Sequence, residues 1–251
     1  MKSQLRNSNQ IGRRSCNLSA KPRLKDVVKA EEGEIYDIEL STDLLKANQR
    51  LAEENKRFLH KNGVKAIDVM GAIGSGKTSL IEKLVELLKN HYGIAVFKGD
   101  LTTTIDAELI ARHGVGVVAI NTGKECHLDA NLVRKAVKKL DISKIQLLFI
   151  ENVGNLICPA EFPLGSDKRV VVISVTEGPY MVVKHPFIFM DTDVVVINKT
   201  DLAQAMGVDV KQLERDVKTV NPRANVVATN CRTGEGVEKV AEALGLSQLR
   251  G

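Results

Sequence analysis

The chain has 251 residues, a length that suits one large α/β domain or one domain with an additional segment. Hydrophobic residues make up 43% and charged residues 27%, which excludes a fibrous or wholly disordered protein. No apolar run reaches ten residues, so the sequence contains no membrane-spanning segment. Since no apolar stretch resembling a secretion signal follows Met1, we expect the protein to be cytoplasmic.

The net charge of +5 is concentrated near the N-terminus. Residues 1–30 contain eight lysines and arginines against the single acid Asp26, which leaves the rest of the chain at −2. A basic arm can contact RNA or anionic lipid, but this one has no aromatic residue for base stacking and no regular apolar pattern, which favours a solvated tail. We therefore interpret residues 1–38 as a basic, flexible extension and 39–251 as the folded domain, with neither nucleic acid nor membrane as a partner.

The first predicted element is an amphipathic helix over residues 41–61, with Ser41, Thr42 or Asp43 as its cap. From Val64 onward, apolar runs rich in β-branched residues alternate with helical stretches, and continuous apolar runs indicate strands buried on both faces. The predicted strands are 64–70, 94–97, 115–120, 145–150, 170–175, 194–197 and 226–228. The predicted helices are 77–90, 105–112, 128–140, 209–220 and 236–244. This order predicts an α/β fold with a mainly parallel sheet and helices on both faces.

A phosphate-binding loop follows the first strand. Its residues fit the pattern G-x-x-x-x-G-K-[ST] and are Gly71, Ala72, Ile73, Gly74, Ser75, Gly76, Lys77 and Thr78, with Ser79 next in the helix. In this setting backbone N–H groups surround phosphate oxygens, Lys77 reaches the β- and γ-phosphates, and Thr78 offers a hydroxyl to Mg²⁺. The strand before it and the helix after it are the context that the motif requires, which predicts a nucleoside triphosphatase of the P-loop type.

A second motif, Asn198-Lys199-Thr200-Asp201, follows another buried strand. A carboxylate at Asp201 can accept from the ring N–H and the amine of guanine, which favours GTP over ATP. Cys231 and Arg232 lie after the last strand, where a second loop is expected to contact the base.

Acidic residues at the phosphate end of the sheet are candidates for catalysis and for holding Mg²⁺. Asp100 and Glu151 each follow a strand, and each can bind the ion or orient the attacking water. Gly154 can donate its N–H to the γ-phosphate. Asp106 is a further candidate for positioning water, although a favourable charge at a helix N-terminus explains it equally well.

Cys126, His127 and Cys158 follow strands that end at the same edge. Thiolate and imidazole ligands suit Ni²⁺ or Zn²⁺. The residues alone leave a second interpretation open, because a cysteine is often simply a small buried hydrophobic residue. Three ligands are also one short of a closed tetrahedral site, and two copies of the chain could complete it.

From about Leu40 to the end, the sequence resembles the HypB family, the GTPases that help to insert nickel into hydrogenases. The segments that carry the resemblance are the phosphate-binding loop, residues 121–130, residues 151–159 and the Asn198–Asp201 motif. The Cys-Pro-His motif typical of the related urease accessory GTPases is absent. The resemblance implies a G domain of the SIMIBI type and a GTP-dependent homodimer with Cys126, His127 and Cys158 as metal ligands at its interface.

The resemblance also implies that Lys184 lies near the phosphates, reaching in from a partner chain. Implied partners are a nickel-binding maturation protein and the large subunit of the hydrogenase. Alternative functions are a urease-type nickel-insertion GTPase, a small-molecule kinase with the same loop, and a metal store. Asp201 argues against the kinase, and the small number of candidate ligands argues against the store.

Overall fold

The computed structural model describes residues 38–100, 105–123 and 126–246, and for residues 38–42, Asp100, Ile105 and Asp106 it describes the backbone alone. The predicted N-terminal extension lies outside these residues apart from its last position. None of the helices in the described part of the chain is long and apolar enough to cross a membrane.

Seven strands form one sheet in which every neighbouring pair is parallel. The strands are β1 (Lys65–Met70), β2 (Ile94–Asp100), β3 (Gly116–Asn121), β4 (Leu147–Glu151), β5 (Lys168–Ser174), β6 (Val194–Asn198) and β7 (Asn225–Ala228). Their order in the sheet is β3-β2-β4-β1-β5-β6-β7, so the loop after β1 lies at the centre of the sheet edge. All seven strands predicted from the sequence are present, and the prediction of a parallel α/β fold is confirmed.

Helices cover both faces of this sheet. They are α1 (Ile38–Lys61), α2 (Lys77–Leu88), α3 (Ile105–Ala111), α4 (Ala130–Val137), α5 (Cys158–Glu161), α6 (Met181–Lys184), α7 (Phe187–Met190), α8 (Ala203–Met206), α9 (Val210–Val220) and α10 (Val237–Ala243). Apolar side chains of α2, α3 and α10 pack on one face. On the other face, α1 and α4 pack over β2 and β4, and α6, α7 and α9 pack over β5 and β6.

Two local predictions were wrong, and four short helices were not predicted. Helix α1 begins at Ile38 rather than at a cap among residues 41–43, because serine, threonine and aspartate are tolerated in a first turn and do not by themselves fix a helix start. The sequence also gave no sign of α5 to α8, since a helix of four residues shows no periodicity. Strands β3 and β7 are not buried on both faces, because they lie at the two edges of the sheet, where Ala119 and Ala228 are exposed.

Candidate nucleotide and metal sites

The loop 71–76 connects β1 to α2 and is held tightly against the sheet. Gly71 and Gly76 have φ values of +143° and +105°, which favour glycine. A Cβ atom on Gly71 would lie 2.2 Å from the carbonyl oxygen of Val172, and one on Gly76 would lie 2.1 Å from Nδ2 of Asn198. Both glycines are therefore required by the close approach of the loop to β5 and β6.

Lys77 is only 6% exposed although its side chain is charged. Its Nζ donates to the carbonyl oxygens of Gly71, at 3.1 Å, and Ala72, at 2.9 Å. A buried ammonium group requires such acceptors. The lysine thus lies folded over the loop at the N-terminus of α2, where partial positive charge also attracts anions.

The Asn198–Asp201 motif holds the phosphate-binding loop from the side of β6. Asn198 donates from Nδ2 to the Ser75 carbonyl oxygen at 2.9 Å, and its Oδ1 accepts from the backbone N–H of Cys231 at 3.0 Å. Lys199 adopts a left-handed conformation with a φ of +60°, and its Nζ donates to the Gly74 carbonyl oxygen at 2.7 Å. One buried amide therefore joins three segments that the sequence placed far apart.

A cavity of about 900 Å³ opens at this edge of the sheet. It is lined by Ile73, Gly74, Gly76, Lys77, Thr78, Ser79, Glu82, Lys83, Lys98, Gly99, Glu151, Asn152, Val153, Gly154, Asn198, Lys199, Asp201, Leu202, Asn230, Cys231 and Arg232. The exposed Asp201 and Arg232 follow β6 and β7, which are separated in the sheet by β1 and β5 from β4, the strand that ends at Glu151. The structure thus brings most of the predicted nucleotide residues to one cavity.

Some predicted site residues are not placed there. Lys184 is exposed on α6 and does not line the cavity of its own chain. Asp100 ends β2, at the expected edge, and Asp106 lies in the first turn of α3, but their side chains are outside the described part of the structure. The roles predicted for these three residues stay predictions.

Glu151 lies at the inner end of the cavity and is 1% exposed. Its Oε1 accepts from the Thr78 hydroxyl at 2.8 Å and from the ammonium group of Lys98, while Oε2 is buried without a hydrogen-bond partner among the described residues. A hydroxyl and a carboxylate with a buried, unused oxygen fit the preference of Mg²⁺ for oxygen ligands. Sequence reasoning missed Lys98, although a lysine in an otherwise apolar buried strand is a recognisable signal.

The three predicted metal ligands meet beside the cavity. The Sγ atoms of Cys126 and Cys158 and a ring nitrogen of His127 all lie within 4.8 Å of one another. The two Sγ atoms are 3.0 Å apart, and the hydrogen bond shared by the two thiols, which favours the protonated form of Cys158, raises the pKa of that thiol. The His127 ring packs on Phe162, with ring centroids 3.8 Å apart. This arrangement disfavours the interpretation of the cysteines as core residues, because Cys126 is exposed and Cys158 only half-buried.

Two asparagines connect the phosphate end of the sheet to this cluster. Asn152, fully buried and next to Glu151, accepts at Oδ1 from the backbone N–H of Leu128 at 3.0 Å. Asn155 pairs through its backbone with Gly71 of the phosphate-binding loop, and its Nδ2 donates to the Cys126 carbonyl oxygen at 3.4 Å. Two hydrogen bonds therefore join the segment after β4 to the segment that carries Cys126 and His127.

A buried ion pair, formed by Asp68 and Arg169, stabilises the turn that carries Cys158. Asp68 is fully buried in β1; Asn152 donates to its Oδ1 at 3.4 Å, and Nε of Arg169 lies 3.8 Å from its Oδ2. Burial raises the pKa of Asp68 to about 6, against the opposing effect of the Arg169 charge. Nη2 of Arg169 donates to the carbonyl oxygens of Pro159, at 2.8 Å, and Ala160, at 3.3 Å. Arg169 thus fixes the turn of α5 that begins at Cys158.

Residues 65–228 match the family described as the CobW/HypB/UreG nucleotide-binding domain. The chain belongs to this family. Among its members, the chain is 56% identical over 205 residues to the probable hydrogenase maturation factor HypB of Methanocaldococcus jannaschii, an alignment that covers 82% of this chain and 93% of the relative.

Two crystal structures of HypB proteins are similar to this one. The hydrogenase maturation factor HypB of Archaeoglobus fulgidus is 48% identical with a TM-score of 0.75, covering 80% of this chain and 98% of that one. HypB of Helicobacter pylori, solved in complex with nickel, is 31% identical with a TM-score of 0.74, covering 82% and 99%. The comparisons confirm the resemblance to HypB and the P-loop fold, and the family match confirms a nucleotide-binding domain.

Proposed function

We propose that this chain is a GTP-hydrolysing protein that delivers nickel during the maturation of nickel-iron hydrogenase. The observation that carries the proposal is the course of residues 151–159, which line the nucleotide cavity at Glu151 and supply a soft metal ligand at Cys158. The names of the HypB relatives and the nickel complex of one of them support it.

In this function the loop 71–76 binds the phosphates, and Lys77 exchanges its two carbonyl acceptors for phosphate oxygens. Asp201 reads guanine from the far end of the cavity, with Cys231 and Arg232 beside the base. Thr78 and Glu151, with Asp100, hold the magnesium ion, which neutralises the charge that develops on the phosphates. Gly154 donates its N–H to the γ-phosphate, and Glu151, Asp100 or Asp106 orients the attacking water.

The cargo is Ni²⁺, with Zn²⁺ as the alternative ion, bound by Cys126, His127 and Cys158. Three ligands leave a site that is open or shared with a second chain. Next to the cluster, Ile157 is 63% exposed, and α7, which packs against α5, exposes Phe187 by 74%. An apolar surface beside an incomplete metal site supports a homodimer that buries both. In such a dimer Lys184 of α6 reaches the phosphates of the partner.

The nucleotide acts on the metal through the segment 151–159. When the γ-phosphate of GTP accepts a hydrogen bond from the N–H of Gly154, the neighbouring Asn152 and Asn155 move with Gly154, and both are bonded to the segment that carries Cys126 and His127. Hydrolysis releases this arrangement and loosens the cluster. A nickel-binding maturation protein that supplies the ion and the hydrogenase large subunit that receives it are the remaining partners, all in the cytoplasm.

The test combines hydrolysis, mass and metal content. Purified protein is expected to hydrolyse GTP in preference to ATP, and Lys77→Ala is expected to lose at least about a hundredfold in rate while keeping its circular dichroism spectrum. Light scattering with bound-nickel analysis is then run with GDP and with a non-hydrolysable GTP analogue. We expect one Ni²⁺ site per chain or per pair, tighter binding and more dimer with the analogue, and loss of binding in Cys158→Ser.

Cys16→Ser, which removes a thiol that is not among the three predicted ligands, is the matched control and is expected to bind Ni²⁺ as the wild type does. Preferential hydrolysis of ATP with an acceptor substrate would instead indicate a kinase, and several ions per chain would indicate a metal store. A Cys158→Ser variant with wild-type nickel affinity would show that the cluster is not the metal site.

A further inference from the structure

Lys98 places a positive charge among the oxygen atoms at the inner end of the cavity. It lies in β2 directly opposite Glu151 of β4, and its side chain is 7% exposed. Its Nζ donates to Oε1 of Glu151 and, at 3.1 Å, to the hydroxyl of Thr78. That hydroxyl in turn donates to the same Oε1 at 2.8 Å. Lys98, Thr78 and Glu151 therefore form a closed triangle of hydrogen bonds.

The charge of Lys98 has a clear physical purpose. A carboxylate as buried as Glu151 is stable only with a counter-charge, because burial removes its hydration. The ammonium group of Lys98 supplies that charge from within the fold. It does so at the two oxygen atoms, Thr78 Oγ1 and Glu151 Oε1, that the proposed function assigns to magnesium.

We propose that Lys98 is a built-in counter-cation that occupies the magnesium position when the ion is absent, an inference that rests on the proposed nucleotide function. Magnesium and the ammonium group compete for Thr78 Oγ1 and Glu151 Oε1, because two positive charges held on the same two oxygen atoms repel each other. Nucleotide binding in this protein therefore depends less on magnesium than it would with an uncharged residue at position 98.

Linkage gives the proposal a measurable form. The factor by which magnesium tightens nucleotide binding equals the factor by which nucleotide tightens magnesium binding. In the wild type, the ammonium group already stabilises bound phosphate, so this factor is small. Replacing Lys98 by a neutral side chain removes the substitute charge and the competitor together, so the factor increases.

The experiment measures the Kd of fluorescent GDP and ADP analogues by titration, in excess Mg²⁺ and in EDTA. For the wild type we expect the Kd to rise less than about tenfold in EDTA. For Lys98→Met we expect it to rise at least about tenfold more than in the wild type, and the Mg²⁺ concentration at half-saturation to fall. Lys98→Gln keeps a hydrogen-bond donor without the charge and is expected to behave as Lys98→Met does.

Lys168→Met is the matched control. Lys168 also lies in a strand and donates to a carboxylate, that of Asp193 at 2.7 Å, but it does not line the nucleotide cavity. Its magnesium dependence is expected to equal that of the wild type.

Equal magnesium dependence in the wild type and the two Lys98 variants would overturn the proposal. The proposal would also be overturned if the affinity of the wild type for nucleotide fell more than about a hundredfold in EDTA. This measurement does not depend on whether the variants fold. If the wild type bound the ADP analogue and not the GDP analogue, the guanine assignment would fail, while the ADP titrations would still decide the role of Lys98.

Discussion

Replacing Asn198 with alanine tests whether one buried amide joins the nucleotide site to the fold. The side chain is 2% exposed, and its removal leaves the carbonyl oxygen of Ser75 and the backbone N–H of Cys231 without their partners. An unsatisfied buried backbone group costs about 1–3 kcal/mol, so we expect Asn198→Ala to lower the free energy of unfolding by about 2–5 kcal/mol. Because the phosphate-binding loop and the loop after β7 both lose their hydrogen bond to Asn198, the Kd for nucleotide is expected to rise at least about tenfold.

Asn221→Ala is the matched control for this variant. Asn221 is also buried, and its Nδ2 donates to the carbonyl oxygens of Phe189 and Thr192, but it lies away from the nucleotide cavity. We expect a comparable loss of stability with an unchanged Kd for nucleotide. Guanidinium unfolding followed by circular dichroism gives the first quantity, and titration with a fluorescent nucleotide gives the second. An Asn198→Ala variant that loses stability but keeps wild-type affinity would refute the proposed anchoring of the loops.

Further predictions concern the base, a buried carboxyl group and the metal cluster. Asp201→Asn exchanges a carboxylate, which only accepts hydrogen bonds, for an amide that can also donate, so we expect the Kd for GTP to rise and the Kd for XTP to fall. Competition binding measures both Kd values. An unchanged ratio of the two would contradict the assignment of Asp201 to the base. Burial raises the pKa of Asp68 from 3.8 to about 6, so ionisation of this carboxyl group costs more in the folded state than in the unfolded state. The free energy of unfolding therefore decreases as the pH rises from about 4 to about 6, and above pH 6 the total loss is up to about 3 kcal/mol. The unfolding free energy of Asp68→Asn relative to the wild type is therefore expected to increase over that range, and a difference independent of pH would argue against the buried charge. Arg169→Met removes the donor to the carbonyl oxygens of Pro159 and Ala160, so Ni²⁺ affinity, measured by competition with a chromogenic chelator, is expected to fall at least about tenfold while nucleotide affinity stays the same. Wild-type nickel affinity in this variant would show that the turn after Cys158 needs no such support.

The sequence was sufficient wherever the information is local. Each strand contains a short apolar run, and the residues of the phosphate-binding loop are adjacent in the chain, so composition and spacing identify both. The Asn198–Asp201 motif was found in the same way, from four consecutive residues after a buried strand. The prediction of a metal site at Cys126, His127 and Cys158 was weaker, because these residue types fit buried hydrophobic positions as well as metal ligands. The family resemblance was needed to favour the metal site.

The tertiary structure decided which distant residues meet. Lys98 and Glu151 are 53 positions apart and become neighbours only because β4 lies between β2 and β1. The same strand order brings Cys126 and Cys158 to within 3.0 Å, and it places Asp68 beside Arg169, 101 positions further along the chain. Strand order follows from how the helices cover the two faces of the whole sheet, a property of the packed domain that no local pattern encodes. For that reason the phosphate-binding loop could be read from the sequence, whereas the cation beside Glu151 and the ionic support of Cys158 could not.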